Sequence, residues 1–218
     1  MKVKICGIKT ERDLAMAINA GADAVGFITE VPVDSPRKLS LSEASRLILK
    51  VPVFVTPVLV IMPENAEEAI DMIHKATPSA VQVHNILALS ELKKIKETGV
   101  KLIKTIPVAE VAEPKMLIKQ VSELSGVVDA VLLDTAMEGK TGGTGVPHNW
   151  EISSEIVLHA GMPVILAGGL NPENVRDAVR NVRPYAVDAA SGVETDGKKD
   201  EKKIIDFVNN AKGYEIRY

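Results

Sequence analysis

Five residues able to do chemistry fall where a packed chain seldom tolerates them. Lys4, Cys6, Gln82, His84 and Asp134 lie on short apolar runs that read as buried strands. Side chains alternate between the faces of a strand. Lys4 and Cys6 therefore share a face of the first run, Gln82 and His84 share a face of the fourth, and Asp134 shares one with Leu132 in the sixth. Burying an unpaired amide or charge is costly, so polar groups near several strand ends call for a purpose. Each has a bland reading. A lone cysteine serves as a small buried hydrophobe, a terminal aspartate as a cap for the next helix, and a strand histidine as a hydrogen-bonded structural residue. Together, at corresponding heights on different strands, they point to one shared site.

Anion binding is the second chemistry on offer. Three late loops are rich in glycine or small residues: Gly142–Gly145, Ala167–Asn171 and Ser191–Glu194. Glycine lets backbone N–H groups approach an anion, and a helix N-terminus adds a favourable dipole. One such loop reads as a tight turn; three read as a phosphate seat, with Gly143, Gly168, Gly169, Ser191 and Gly192 as candidate contacts. No Gly-Lys-Ser/Thr element is present, which argues against a nucleoside triphosphate. Arg37, in Ser35-Pro36-Arg37, has the fork to grip a carboxylate through two parallel hydrogen bonds; its alternative is an ordinary exposed arginine. The sequence has no acidic cluster, paired histidines or His-Glu-x-x-His element, so no metal is expected.

The elements that must position these residues recur along the chain. Apolar runs at Val3–Cys6, Ala24–Ile28, Val53–Ile61, Ala80–His84, Lys101–Ile106, Asp129–Asp134, Pro163–Ala167 and Tyr185–Ala189 read as eight strands. Their consecutive apolar positions suit parallel strands covered on both faces. Thr10 with Asp13, and Ser40 with Glu43, are helix-capping pairs. Pro63-Glu64 and Asn171-Pro172-Glu173 open helices; Leu92 and Ile95 mark another; Ile204, Ile205 and Val208 close the series before Gly213. Lys198–Lys203 reads as a solvated loop and helix start. Eight strand–helix units predict a compact (β/α)₈ barrel, with its active site at the strand C-terminal ends. An open doubly wound sheet is the rival, weakened by the absence of a glycine-rich dinucleotide turn after the first strand.

Composition limits the function classes. The chain has 218 residues, 46% hydrophobic and 25% charged, with formal net charge -3. No global field recruits nucleic acid or anionic membrane. One cysteine excludes an internal disulfide. The opening MKVKICGIKTERD lacks the apolar core of a signal peptide. The longest apolar run, Val51–Met62, carries two prolines and a threonine and falls short of the roughly twenty residues of a membrane span. The expectation is one cytoplasmic domain over residues 1–218, monomeric or homodimeric, that acts on a small molecule.

The motifs, taken in order, resemble the phosphoribosylanthranilate isomerase family of tryptophan biosynthesis. The matching pieces are KICGIK (Lys4–Lys9), GADAVGF (Gly21–Phe27), SPR (Ser35–Arg37), VQVH (Val81–His84), LLDT (Leu132–Thr135), GGTG (Gly142–Gly145), LAGGLNPENV (Leu166–Val175) and VDAASGVE (Val187–Glu194). They span nearly the whole chain. The resemblance implies a cofactor-free (β/α)₈ barrel and an Amadori rearrangement of a phosphorylated aminosugar. It makes Cys6 the general base, Asp134 the general acid, Arg37 the holder of the anthranilate carboxylate, and the glycine-rich loops the phosphate site, with Gln82 and His84 among the substrate contacts. On these roles Asp134 should titrate above and Cys6 below their ordinary ranges, with Lys4 favouring the thiolate, and the rate should be bell-shaped in pH. Asn85, Ala189-Ala190 and His148-Asn149 depart from the family's usual glycine, serine-containing pair and Phe-Asp. Two rivals remain: another phosphosugar barrel enzyme, such as an epimerase or an indole-forming synthase, and a non-catalytic phospholigand-binding barrel.

Overall fold

The structure is a computed structural model that describes residues 1–137, 140–141 and 148–213. Eight strands carry the frame: β1 (Lys2–Cys6), β2 (Ala24–Thr29), β3 (Thr56–Ile61), β4 (Ala80–Val83), β5 (Lys101–Val108), β6 (Ala130–Met137), β7 (Val164–Leu166) and β8 (Ala186–Ala189). Each pairs in parallel with the next in sequence, and β8 pairs with β1, so the sheet closes. Eight helices alternate with them: α1 (Glu11–Asn19), α2 (Leu41–Ile48), α3 (Ala66–Ala76), α4 (Leu89–Lys96), α5 (Pro114–Glu123), α6 (Trp150–His159), α7 (Val175–Val182) and α8 (Glu201–Lys212). This is the (β/α)₈ barrel that the spacing predicted. Among the described residues no helix is long and apolar enough to cross a membrane.

Local chemistry explains most helix starts. Thr10 and Asp13 form a reciprocal capping box, each side chain accepting the other's backbone N–H at 3.0 Å. Ser40 and Glu43 repeat it before α2. Two starts differ from expectation. Helix α3 begins at Ala66, capped by Asn65, and the Pro63 carbonyl instead accepts from Asn85 Nδ2. Helix α7 begins at Val175. Asn171 Oδ1 accepts the N–H groups of Glu173 and Asn174, so Asn-Pro-Glu closes a turn before the helix. Strand β3 also starts late, at Thr56, because its neighbour β2 starts opposite it at Ala24 and offers residues 53–55 no partner.

Alternation sorts the core into two layers. One cluster, including Leu59, Val81, Leu102, Val131 and Phe207, fills the space between strands and helices; a smaller one, including Val58, Val60, Ile103, Leu132 and Ile165, fills the barrel. The inner face also carries the polar positions Lys4, Cys6, Gln82, Asp134 and Asp188, each two residues along a strand from an inward neighbour. That places them toward the C-terminal mouth.

Candidate active site

Cys6 ends β1 beside Gly26 of β2. A Cβ on Gly26 would lie 2.7 Å from the Cys6 sulfur and 3.1 Å from Lys4 Nζ, so β2 needs glycine where these two side chains pass. Lys4 sits one inward position deeper and donates to Asp188 Oδ2 at 2.9 Å; both side chains are more than nine-tenths buried. The other oxygen of Asp188, Oδ1, is buried without a partner among the described residues. Asp134, on β6, accepts the backbone N–H of Thr135 at 2.9 Å.

These strand ends meet in one cavity of about 460 Å³, lined by Cys6, Arg37, Gln82, His84, Asp134 and Asp188 and also by Gly168, Gly169, Ser191 and Gly192. Of the residues singled out from sequence, Lys4 lies beneath this cavity and Gly143 lies outside the described residues. Gln82 Nε2 donates to Thr105 Oγ1 at 3.1 Å, which leaves its buried carbonyl Oε1 unpartnered in the lining.

The electrostatics agree with one expectation and correct another. Desolvation, together with the nearby Asp188 charge, pushes Asp134 up to about 6; the Thr135 N–H and Lys4 oppose it. Cys6 was expected below the ordinary thiol range. Burial instead holds it above that range, and Asp188 adds to the shift, against the opposing pull of Lys4 and Lys199. Lys4 pulls the thiol down, but the loss of solvation outweighs that pull. His84 is pushed down to about 4 by desolvation and by Lys104 and Lys4, so its imidazole is neutral at pH 7.

The glycine-rich part of the lining is built by close backbone approach. Gly168 has φ of 81°, and a Cβ there would lie 2.2 Å from Thr135 Oγ1. A Cβ on Gly192 would lie 1.9 Å from the Leu170 carbonyl oxygen. Asn174 ties the first of these loops together, accepting from Asn171 N at 2.8 Å and donating to the Gly169 carbonyl at 2.9 Å. His148 is buried and hydrogen-bonded to Thr135 Oγ1 and Ser153 Oγ, so it props Thr135 against Gly168.

Arg37 enters the lining from the β2–α2 connection. Its Nε and Nη2 donate to the two carboxylate oxygens of Glu194 at 2.9 and 2.7 Å. Glu194 also accepts from Lys199 Nζ at 2.8 Å. Lys199 therefore departs from the solvated run expected over 198–203: its side chain is 2% exposed, held by Glu194 and the Ala190 carbonyl. Sequence reading missed Asp188, Glu194 and Lys199. For Asp188 the available signal was a charged residue inside an apolar strand, the same signal that found Lys4 and Asp134; Glu194 and Lys199 lie beyond the strand and carry no such signal.

A family model described as N-(5'phosphoribosyl)anthranilate (PRA) isomerase matches residues 3–210. The N-(5'-phosphoribosyl)anthranilate isomerase of Methanosarcina acetivorans is 52% identical, covering 97% of this chain and 93% of that protein. Two solved structures superpose with TM-scores of 0.82. One is a phosphoribosyl anthranilate isomerase in complex with reduced 1-(o-carboxyphenylamino)-1-deoxyribulose 5-phosphate, 34% identical. The other is a set of monomers generated from the dimeric phosphoribosylanthranilate isomerase of Thermotoga maritima, 33% identical. Each covers 98% of this chain and 100% of its own.

Proposed function

This chain belongs to the N-(5'-phosphoribosyl)anthranilate isomerase family, and on that premise we propose how its own residues divide the work. The reaction is an Amadori rearrangement in tryptophan biosynthesis. It converts the aminoaldose N-(5-phosphoribosyl)anthranilate into the aminoketose 1-(2-carboxyphenylamino)-1-deoxyribulose 5-phosphate. The observation that carries the assignment is a thiol and a carboxyl lining one cavity together with an arginine and a pair of glycine-rich loops.

Asp134, protonated below about pH 6, gives its proton to the furanose ring oxygen as the C1–O bond breaks, leaving an open Schiff base. The Cys6 thiolate then removes the C2 proton, and the electron pair moves toward nitrogen to form an enolamine. The product needs a proton at C1 and must lose one from the C2 hydroxyl. Cys6 now holds the proton and Asp134 the vacancy, so returning one and accepting the other restores both groups. Positioned acids and bases of this kind contribute about 10²–10⁴-fold each. Beyond the opening of the C1–O bond every step is a proton transfer, which calls for no cofactor.

Around this pair, Arg37 takes the anthranilate carboxylate with the donors that Glu194 leaves over. Gly168, Gly169, Ser191 and Gly192 take the phosphate through backbone N–H groups and a hydroxyl, with Gly143 assigned to the same job from sequence. The unpartnered Gln82 carbonyl accepts from a ribose hydroxyl, and neutral His84 stands beside it. A cytoplasmic setting fits: a substrate carrying both a phosphate and a carboxylate does not cross a bilayer unaided, and Cys6 must stay reduced. A homodimer fits as well, through the exposed Leu49, Val53 and Phe54, at 75%, 80% and 99% exposure.

Cys6→Ser and Asp134→Asn test the core of the proposal. Each should lower kcat by at least about 10²-fold while the reduced product analogue still binds within a few-fold of wild type. Turnover within threefold of wild type in either variant removes that residue from its role.

A further inference from the structure

Arg37 and Glu194 are 157 residues apart in sequence. Arg37 lies in the connection after β2; Glu194 follows the turn Ser191–Val193 that lines the phosphate side. A short hairpin brings them together. Residues Glu194–Thr195 pair antiparallel with Lys198–Lys199, with Glu194 directly opposite Lys199. The hairpin is pinned at its base, where Thr195 Oγ1 donates to Asp200 and Lys203 Nζ donates to the Glu194 carbonyl at 2.7 Å.

The contact itself is a two-bond fork, the most geometrically restrictive ion pair available to arginine. It engages Nε and one hydrogen of Nη2. The edge formed by Nη1 and the outer Nη2 hydrogen makes no bond among the described residues, and Arg37 lines the cavity. The stem is placed as firmly. A Cβ on Gly7 would fall 2.7 Å from Arg37 Cδ, so the residue after Cys6 is glycine where the arginine stem crosses it. Glu194 and Lys199 are 6% and 2% exposed. Their charges offset each other, which leaves the positive charge of Arg37 available to a third partner.

We propose that Glu194 is a positioning residue. It does not line the cavity; it fixes the guanidinium plane of Arg37 so that the remaining edge meets the carboxylate of the substrate's aromatic end, and Lys199 keeps Glu194 from neutralising that arginine. The inference rests on the Arg37 assignment above and deepens it: selectivity for an ortho-carboxylated arylamine resides in a hairpin that the substrate does not touch.

Two inhibitors test this: the reduced product analogue, and the same compound with hydrogen in place of its carboxyl group. Glu194→Gln keeps the volume and removes the charge. It should weaken the carboxylated analogue about tenfold and the other by less than twofold. Glu194→Asp, too short to hold the same fork, should show the same selective loss and carries the test if the glutamine variant does not fold. Equal losses for both compounds would mean a merely structural hairpin, and no loss for either would mean Arg37 needs no orienting; both outcomes overturn the proposal. Arg37→Ala separates this from the underlying assignment. If Arg37→Ala binds both compounds as wild type does, the carboxylate contact itself is wrong, whatever Glu194 does.

Discussion

At the residue scale the two reacting groups are tuned in the same direction, both upward, and this shapes the pH dependence. The assigned cycle needs Asp134 protonated and Cys6 ionised. With Asp134 near 6 and Cys6 above the ordinary thiol range, the required form is a minor species whose population is constant between the two values. The expected kcat/KM rises with pH up to about 6, stays level, and falls where the thiol ionises. The substrate phosphate also titrates near ~6, so Asp134→Asn is the control. Its residual activity should lose the alkaline fall, because no acid remains to be deprotonated. An alkaline limb that survives in the variant contradicts the assignment of the acid.

Asp134 also carries a stability cost. Its folded value is raised above the ordinary carboxyl value of 3.8, so the unfolded chain releases this proton more readily. Stability falls as pH rises from about 4 through about 6 and is level above that. Asp134→Asn removes the charge that the barrel disfavours. It should therefore be nearly inactive yet more stable by about 1–3 kcal/mol at pH 8, with the difference vanishing near pH 4. Denaturant titrations at the two pH values check this; equal stability at pH 8 argues that Asp134 is solvated as well as an exposed carboxyl.

At the element scale, what could be read in advance was whatever local chemistry specifies. The eight apolar runs and the two capping boxes require only neighbours in sequence, and both appear in the structure, with the third run shortened at its start to Thr56. The helix starts expected at Pro63 and Asn171 fall later for two different reasons: Asn65 caps α3 while the Pro63 carbonyl accepts from Asn85, and at Asn171 an Asx turn uses the side chain that would have capped α7. Alternation put Lys4, Cys6, Gln82 and Asp134 on inward faces. It could not say that Lys4 is neutralised by Asp188 from the last strand, since that pairing exists only once the barrel closes β8 onto β1. The same limit hid Glu194, whose partner is 157 residues away. A closed barrel turns distant charges into neighbours, and the pKa of Cys6 depends on those neighbours.

At the scale of the whole molecule the two ends of the barrel differ sharply. The mouth gathers polar groups around a cavity. The opposite end, before β3, pushes Phe54 almost fully into water, with Val53 beside it and Leu49 a few residues earlier. Phe54 also has φ of 73°, a backbone state that costs a non-glycine residue about 1 kcal/mol or more. A strained backbone that exposes an aromatic ring loses on both counts in an isolated monomer. Burial against a second copy offsets both, since one phenylalanine brings about 150–250 Å² of surface. The wild-type protein should then sediment at twice the chain mass of 23.4 kDa, and Phe54→Asp should shift it to the single-chain species. Because the tip precedes β3 and the reacting groups lie at the C-terminal strand ends, the monomeric variant should keep kcat within about threefold while unfolding at a lower temperature. A wild-type protein that sediments as a single chain at about 100 µM excludes this face as a dimer contact.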